Sequence, residues 1–518
     1  MNSLSTRHLW WLLLGILGLR LMTLGLYPLM DTSEARYAEM ARKMLELDDW
    51  VTPMFDYGVP FWGKPPLAFW TQALSMQLLG INEFAVRLPA WLLHVGSCLI
   101  LIRFAREEYD ERTGLVAAIL FSSSSLGLLS AGVVLTDPAL GFAVLLACYG
   151  FWRGTLHGDR AWALAGFFGL GLGLLAKGPL ALVLVGAQAG LWTLLNKQWR
   201  ALWALPWFSG LSLMLLVALP WYIWAELRSP GFLDYFLVGE HWKRYVISEW
   251  AGDLYGSAHA RPTGSIWLDL LLALFPWSLL LPLLYGVYRQ HASMRLSLSF
   301  ITLWALTTPL FFTFSGNILW TYVLPALPAW CLLLALALRT RLNAPGKLVA
   351  GLTLALPLGL TVAVVEGGTF QRPQNQQALA QAWNDLQATE AAPLYYWGRR
   401  SYSGSSTVGA RHGGSRTSPS CPTAAPSTWR AEPKTWTSTW TRTARSCNPW
   451  AARNACGSAR ACYSSAWGVE NRPWAAPSQA LRLMQKCTAN LQLSRLYMAN
   501  LHCYDPSSFA REHTDKEQ

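Results

Sequence analysis

Long apolar runs recur as far as residue 365, and they limit the folds open to this chain more than any other feature. Eleven stretches stand out: residues 9–29, 84–102, 113–131, 134–152, 161–176, 178–196, 201–224, 265–288, 296–314, 318–338 and 348–365. A helix needs about 20 predominantly apolar residues to cross the hydrocarbon of a bilayer. The expected fold class is an all-α polytopic membrane protein with about eleven or more transmembrane helices. Composition agrees, since 53% of the residues are hydrophobic and 14% charged, less charge than soluble domains carry. Residues 9–29 resemble a signal peptide in apolarity. The run is long, however, and no small-residue cleavage site follows, so it is expected to stay as the first span. Arg20 lies inside it and should face the bundle, because charge facing lipid is costly.

The connections between runs fix an expected orientation. With Arg7 in the cytoplasm, alternate loops carry Arg103, Arg106 and Arg112; Arg153 and Arg160; Lys197 and Arg200; Arg289 and Arg295; and Arg339, Arg341 and Lys347. Cytoplasmic loops of membrane proteins collect Lys and Arg in this way. The net charge of +12 is therefore explained by topology. Nucleic acid is not an expected partner, as the chain has no zinc-finger spacing, Walker loop or dinucleotide fingerprint. The opposite side receives loop 30–83, the turns at Asp137 and Lys177, loop 225–264, the turn 315–317 and everything after 366. Chemistry is expected on that outer face.

Loop 30–83 opens with "MDTSEARYAEMARKM". Tyr37, Ala38, Ala41, Met44 and Leu45 fall at helical spacing among charges, which predicts an amphipathic helix lying at the interface. Residues 66–79 predict a second one, with Pro66 suited to its first turn and Gly80 to its end. Asp31 followed by Glu34 fits a helix cap and equally fits a carboxylate pair able to take a proton from an attacking hydroxyl. Lys64, just before that Pro-started helix, fits an anion site or a lysine reaching toward headgroups. In "GEHWKRYV", Glu240, His241, Lys243 and Arg244 crowd together. They can form a phosphate clamp, with His241 as an acid–base group or metal ligand, or a basic face on anionic lipid. Asp137 opens the fourth span as a cap or a second active-site carboxylate. Tyr322 sits near the outer end of the tenth span, where a hydroxyl can reach a phosphate and where interfacial Tyr is also common. Carboxylates, a lysine, a Lys/Arg clamp and a tyrosine on one face of a bundle suit a lipid-linked phosphate. The bilayer would hold the tail, and cations would meet the charge growing on the leaving group.

Beyond residue 400 the composition changes. Between Tyr395 and Ala480 there is no Leu, Ile, Phe, Met or Asp, and six of the nine cysteines lie from Cys421 onward. A disulfide-stapled domain would have little core, and the many Trp argue against ordinary disorder. A shifted reading frame near residue 402 is the favoured reading. The expected domains are a membrane domain, 1–366, the start of a periplasmic region, 367–399, and an anomalous tail, 400–518.

The segments "SEARYAEMARKMLELDDWVTP", "GKPPLAFW", "VLTDPAL", "AKGP", "GEHWKRY" and "TYVLP", in this order, resemble the bacterial branch of the protein O-mannosyltransferase superfamily. Within it they are most similar to the aminoarabinose transferases of lipid A and their relatives in glycosyltransferase families 39 and 83. The resemblance implies the GT-C fold, with juxtamembrane helices in the first outer loop and a periplasmic C-terminal domain. It implies a bacterial inner-membrane, inverting enzyme that uses undecaprenyl-phosphate sugar as donor and lipid A or another envelope glycan as acceptor. A protein Ser/Thr acceptor is the runner-up, and a transporter or flippase of lipid-linked sugar is the rival of another class. The absence of an internal repeat, and polar clusters at the outer edge, favour the enzyme over a transporter.

Residue by residue, the resemblance assigns Lys64, Arg244 and Tyr322 to the lipid phosphate and Asp137 to the second outer-loop aspartate. Arg36 matches the arginine of the first motif, with His241 and Glu240 in support. The family commonly has Asp directly before the Glu of its first motif. Here that place is Ser33, so Asp31, or else Glu34, is expected to activate the acceptor. The relatives often carry Glu before the Lys-Pro, implicated with the loop histidine in metal binding. Here it is Gly63, which weakens the case for a divalent metal at His241 and leaves the metal open. The basic Gly-Lys of the last motif is Gly316-Asn317 here.

Overall fold

A computed structural model describes residues 5–255, 259–285, 287, 294–341 and 346–365. The expected regions 367–399 and 400–518 lie outside the described residues, and so does the frame-shift reading attached to them.

The first helix, α1 (Thr6–Thr23), starts at Ser5, whose hydroxyl accepts from the His8 N–H. Arg20 turns inward as expected. Its guanidinium donates to Thr23 Oγ1 at 3.2 Å and to the Tyr27 hydroxyl at 3.1 Å, and reaches the Leu129 carbonyl. The outer loop then forms α2 (Ser33–Glu46), a short antiparallel hairpin of β1 (Met54–Asp56) and β2 (Val59–Pro60), and α3 (Leu67–Leu79) between Pro66 and Gly80.

Both outer-loop helices stand where periodicity placed them, but α2 does not lie half-exposed at an interface. It is buried on nearly every side, Glu39, Arg42 and Lys43 included. The charged face tolerates cover because its charges are paired. Arg42 meets Glu39 and Glu46, each at 2.8 Å, and Lys43 reaches Asp56 of the hairpin at 3.4 Å. A periodicity argument assumes that charges want water; here partners replace it.

The bundle follows with α4 (Glu83–Glu108), α5 (Glu111–Ser123), α6 (Ser125–Ser130), α7 (Asp137–Leu156), α8 (Arg160–Lys177), α9 (Leu180–Asn196), α10 (Trp199–Trp203) and α11 (Trp207–Arg228). Helices α7 and α8 touch backbone to backbone. A Cβ at Gly150 would stand 2.5 Å from the Gly166 nitrogen, so a side chain there would force the pair apart. The second outer loop winds as a π-helix, Asp234–Lys243, continued by α12 (Arg244–Val246). After it come α13 (Ser265–Leu274), a 3₁₀ segment Trp277–Leu284, α14 (Arg295–Thr313), a second 3₁₀ segment Trp320–Ala326, α15 (Leu327–Arg341) and α16 (Gly346–Val365). Trp152, Trp192, Phe104 and Phe300 interlock at the centre of the core.

Helix stands at every expected stretch, yet among the described residues five helices are long and apolar enough to cross a membrane, or six if one bent pair counts as a span. Ser124 ends α5 and caps α6 with its hydroxyl, dividing the expected span 113–131. Between Leu274 and Trp277 the chain bends by 108° at Phe275-Pro276, dividing 265–288, because proline cannot continue a helical hydrogen-bond ladder. Helices α1 and α8 have 18 residues each and α9 has 17.

Candidate active site

Lys64 stands on the turn that leads into α3, and the π-helical loop brings Glu240 to meet it. The ammonium donates to Glu240 Oε1 and, at 2.7 Å, to the Gly63 carbonyl. Four residues further on, Arg244 donates to both oxygens of the same carboxylate, at 2.9 and 3.0 Å, and pairs with Asp253 at 3.2 Å. Both cations and both carboxylates are largely buried. Burial pushes the Glu240 carboxyl up, but the Lys64 and Arg244 charges together outweigh it and hold the group below the usual carboxylate range. Glu240 is therefore an anion shared by two cations from two loops.

A second pair lies beside the first. Asp137, at the head of α7, accepts from Lys177 at the end of α8, at 2.6 Å, with both side chains buried. Lys177 Nζ also lies 4.2 Å from the centre of the Tyr322 ring, an attractive cation–π placement. Tyr322, on the 3₁₀ segment Trp320–Ala326, feels the charges of Arg244, Lys64, Asp137 and Glu240 together. The phenol thus joins the two pairs into one cluster.

The loop is held to this cluster by backbone chemistry. His241 sets Nδ1 2.7 Å from the Phe236 carbonyl and Nε2 2.9 Å from the Lys177 carbonyl. Burial lowers its pKa more than these two carbonyls raise it. Gly178 makes the approach possible. Its φ is +77°, and a Cβ there would meet Phe236 Cζ at 2.6 Å and His241 Cε1 at 3.0 Å. On the other flank Asn317 donates to the carbonyls of Arg244 and Ile247, at 2.6 and 2.9 Å, and the Gly316 N–H donates to the Tyr245 carbonyl at 2.7 Å.

The first motif reaches the cluster through Tyr255. Arg36 donates to the Tyr255 carbonyl at 2.7 Å. The Tyr255 hydroxyl donates to the Pro60 carbonyl at 2.8 Å and accepts from the Trp62 N–H at 3.0 Å, two residues before Lys64. Asp31 stands before α2, half-buried. It is not the cap its sequence position allows, because the helix begins after Thr32.

Glu34, the other candidate carboxylate, is held by an arginine. Arg87 Nε donates to Oε1 at 2.9 Å and Nη2 to Oε2 at 3.0 Å, and the Met30 N–H also donates to Oε2, at 3.0 Å. Arg87 is fully buried on α4 and further donates to the carbonyls of Leu24, Tyr27 and Pro28. The pair ties α4 to the segment between α1 and α2.

The structure thus brings together Lys64, Glu240, Arg244, Asp137 and Tyr322, sets His241 against the Lys177 carbonyl and Arg36 against the Tyr255 carbonyl, and pairs Glu34 with Arg87. Sequence reasoning missed Lys177, Asp253, Tyr255, Arg87 and Asn317 as parts of the arrangement. A lysine closing an apolar helix and an arginine inside one were visible signals for Lys177 and Arg87. Asp253 and Tyr255 had none. The residues do not fit a divalent cation at His241. Both ring nitrogens face carbonyls, Gly63 offers no ligand, and among the described residues no three His, Cys, Asp or Glu side chains gather as a ligand set.

Residues 7–236 match the family of dolichyl-phosphate-mannose-protein mannosyltransferases. The chain is 33% identical, over 350 residues, to an undecaprenyl phosphate-alpha-4-amino-4-deoxy-L-arabinose arabinosyl transferase of Pseudomonas aeruginosa (strain UCBPP-PA14), a match that covers 66% of this chain and 61% of the relative. It is 29% identical to the enzyme of the same name from Edwardsiella ictaluri, over 59% of this chain and 55% of that one. The chain spans 60–65% of the length of the first such relatives. Its fold is similar to the crystal structure of ArnT from Cupriavidus metallidurans bound to undecaprenyl phosphate, with a TM-score of 0.69, 21% identity and coverage of 78% of this chain and 85% of that one. The apo state of that protein gives a TM-score of 0.66.

Proposed function

We propose that this chain, whose residues 7–236 match the protein mannosyltransferase family and whose fold is similar to that of ArnT, is an inverting glycosyltransferase. It takes a sugar, 4-amino-4-deoxyarabinose or a close analogue, from undecaprenyl phosphate. It passes the sugar to lipid A or another envelope glycan on the periplasmic face of the bacterial inner membrane. The N-terminus is cytoplasmic in this reading, and domain 1–366 holds the machinery. The observation that carries it is that Lys64 and Arg244, from two loops, converge on one buried carboxylate, with Tyr322 near enough to feel both charges.

The acceptor oxygen attacks the anomeric carbon from the face opposite the phosphate. Asp31 orients that oxygen and takes its proton if it carries one. The bond from the anomeric carbon to the phosphate oxygen breaks, and its electron pair goes to the phosphate. Lys64 and Arg244 meet the added negative charge in a site shielded from water, where fixed charges act most strongly, and Tyr322 offers a hydroxyl to the same oxygens. Asp137 pairs with Lys177 and so holds that lysine against the Tyr322 ring. No step passes through a metal, in keeping with the donor geometry at His241.

The test is mass spectrometry of lipid A from a host lacking its own transferase and expressing either the wild type or Lys64→Ala. A pentosamine-sized mass increase is expected with the wild type and not with the variant. Unmodified lipid A from inserted, stable wild-type protein would overturn lipid A as the acceptor.

A further inference from the structure

We propose that Glu240 is a competitor built into the phosphate site: it occupies Lys64 and Arg244 while no phosphate is bound and reclaims them as the polyprenyl phosphate leaves. This rests on the assignment of those two cations to the lipid phosphate. The carboxylate lies between the groups a phosphate would use and touches both. Its own surroundings are buried, so cations left bare there would carry a large desolvation cost with no counter-charge. An internal anion removes that cost in the empty site.

The charge balance makes the same point. Lys64 and Arg244 are matched by Glu240 and Asp253, so the empty site is neutral. A phosphodiester donor carries one negative charge. The monoester left after transfer carries about two near neutral pH. Two cations held open for the donor would hold the product still harder. A carboxylate on the same loop as Arg244, close enough to reclaim both cations, offsets the loss of the product's contacts and lets it go. Arg244 keeps Asp253 as its second partner throughout, so it stays in place when Glu240 moves aside.

The opposite role predicts the opposite sign. A Glu240 that only braced Lys64 and Arg244 in a phosphate-ready pose would, when neutralised, weaken phosphate binding. The experiment is titration of the detergent-solubilised full chain with undecaprenyl phosphate, and with undecaprenol as the phosphate-free control. It compares the wild type, Glu240→Gln, Glu240→Asp, and Glu240→Gln combined with Lys64→Gln.

Glu240→Gln is expected to bind undecaprenyl phosphate roughly tenfold more tightly, the scale of one charge-assisted hydrogen bond. Glu240→Asp, which keeps the charge on a shorter stem, should fall between Glu240→Gln and the wild type. The gain should vanish when Lys64 is also changed, and undecaprenol binding should not move. In turnover, Glu240→Gln should lower both KM for the donor and kcat, because product release becomes slow. Equal or weaker phosphate binding by both single variants would overturn the proposal and leave the phosphate assignment standing. A wild type that binds undecaprenyl phosphate no better than undecaprenol would overturn the phosphate assignment itself, and this proposal with it.

Discussion

Asp31 and Glu34 are three residues apart and chemically alike, yet the fold gives them different surroundings. Glu34 has its oxygens taken by Arg87 and the Met30 N–H, whereas Asp31 stands half-buried just before α2. Asp31→Asn is expected to lower transfer by at least 100-fold with little change in melting temperature, since general-base contributions run to about 10²–10⁴. Glu34→Gln should leave Arg87 as a buried cation facing a neutral amide. Its main effect should be on stability, about 3 kcal/mol or more, the usual scale for breaking a buried ion pair. Thermal melting of the purified variants, set beside their donor-saturated rates, separates the two roles. Equal rate losses in the two variants would mean that both carboxylates touch the substrate.

At the scale of elements, the second outer loop matters more than any helix, because it carries Glu240 and Arg244 to a lysine on another loop. Its seat is made by two short turns. One is Gly178, where positive φ and the closeness of Phe236 and His241 leave no room for a Cβ. The other is Gly316-Asn317, whose amides hold the Arg244, Tyr245 and Ile247 carbonyls. Gly178→Ala is expected to unseat the loop. The strained φ alone costs about 1 kcal/mol or more, and the contact with Phe236 adds to it. Limited proteolysis should then cut within 229–255 faster than in the wild type, and transfer should fall with it. An unchanged cleavage rate would show that the loop seats without this turn.

On the scale of the whole molecule, the positive-inside pattern predicts that the basic loops and the proposed site face opposite sides of the membrane. In a background without the nine native cysteines, Val59→Cys and Arg200→Cys offer two exposed reporters. A membrane-impermeant maleimide added to intact spheroplasts should label the first and spare the second. The reverse pattern would invert the topology.

Much of this was legible in the sequence. Runs of apolar residues fixed a helical membrane protein, because lipid leaves a backbone few ways to satisfy its polar groups. The spacing in 33–47 and Pro66 with Gly80 located two juxtamembrane helices, because local periodicity and caps act within a few residues. Lys64, Arg244, Asp137 and Tyr322 were recognisable one at a time from charge or hydroxyl at an outer helix end. Tertiary structure decided the rest. Which carboxylate faces which cation depends on contacts spanning 176 residues for Lys64 and Glu240 and 53 for Glu34 and Arg87. The pairing of Glu34 with Arg87, the breaks at Ser124 and Pro276, and the burial of charged α2 all follow from what packs alongside. Local sequence sets which groups are present and how each helix winds. Only the closed fold sets which charges are removed from water together, and removal from water is what makes a charge pair strong enough to form a site.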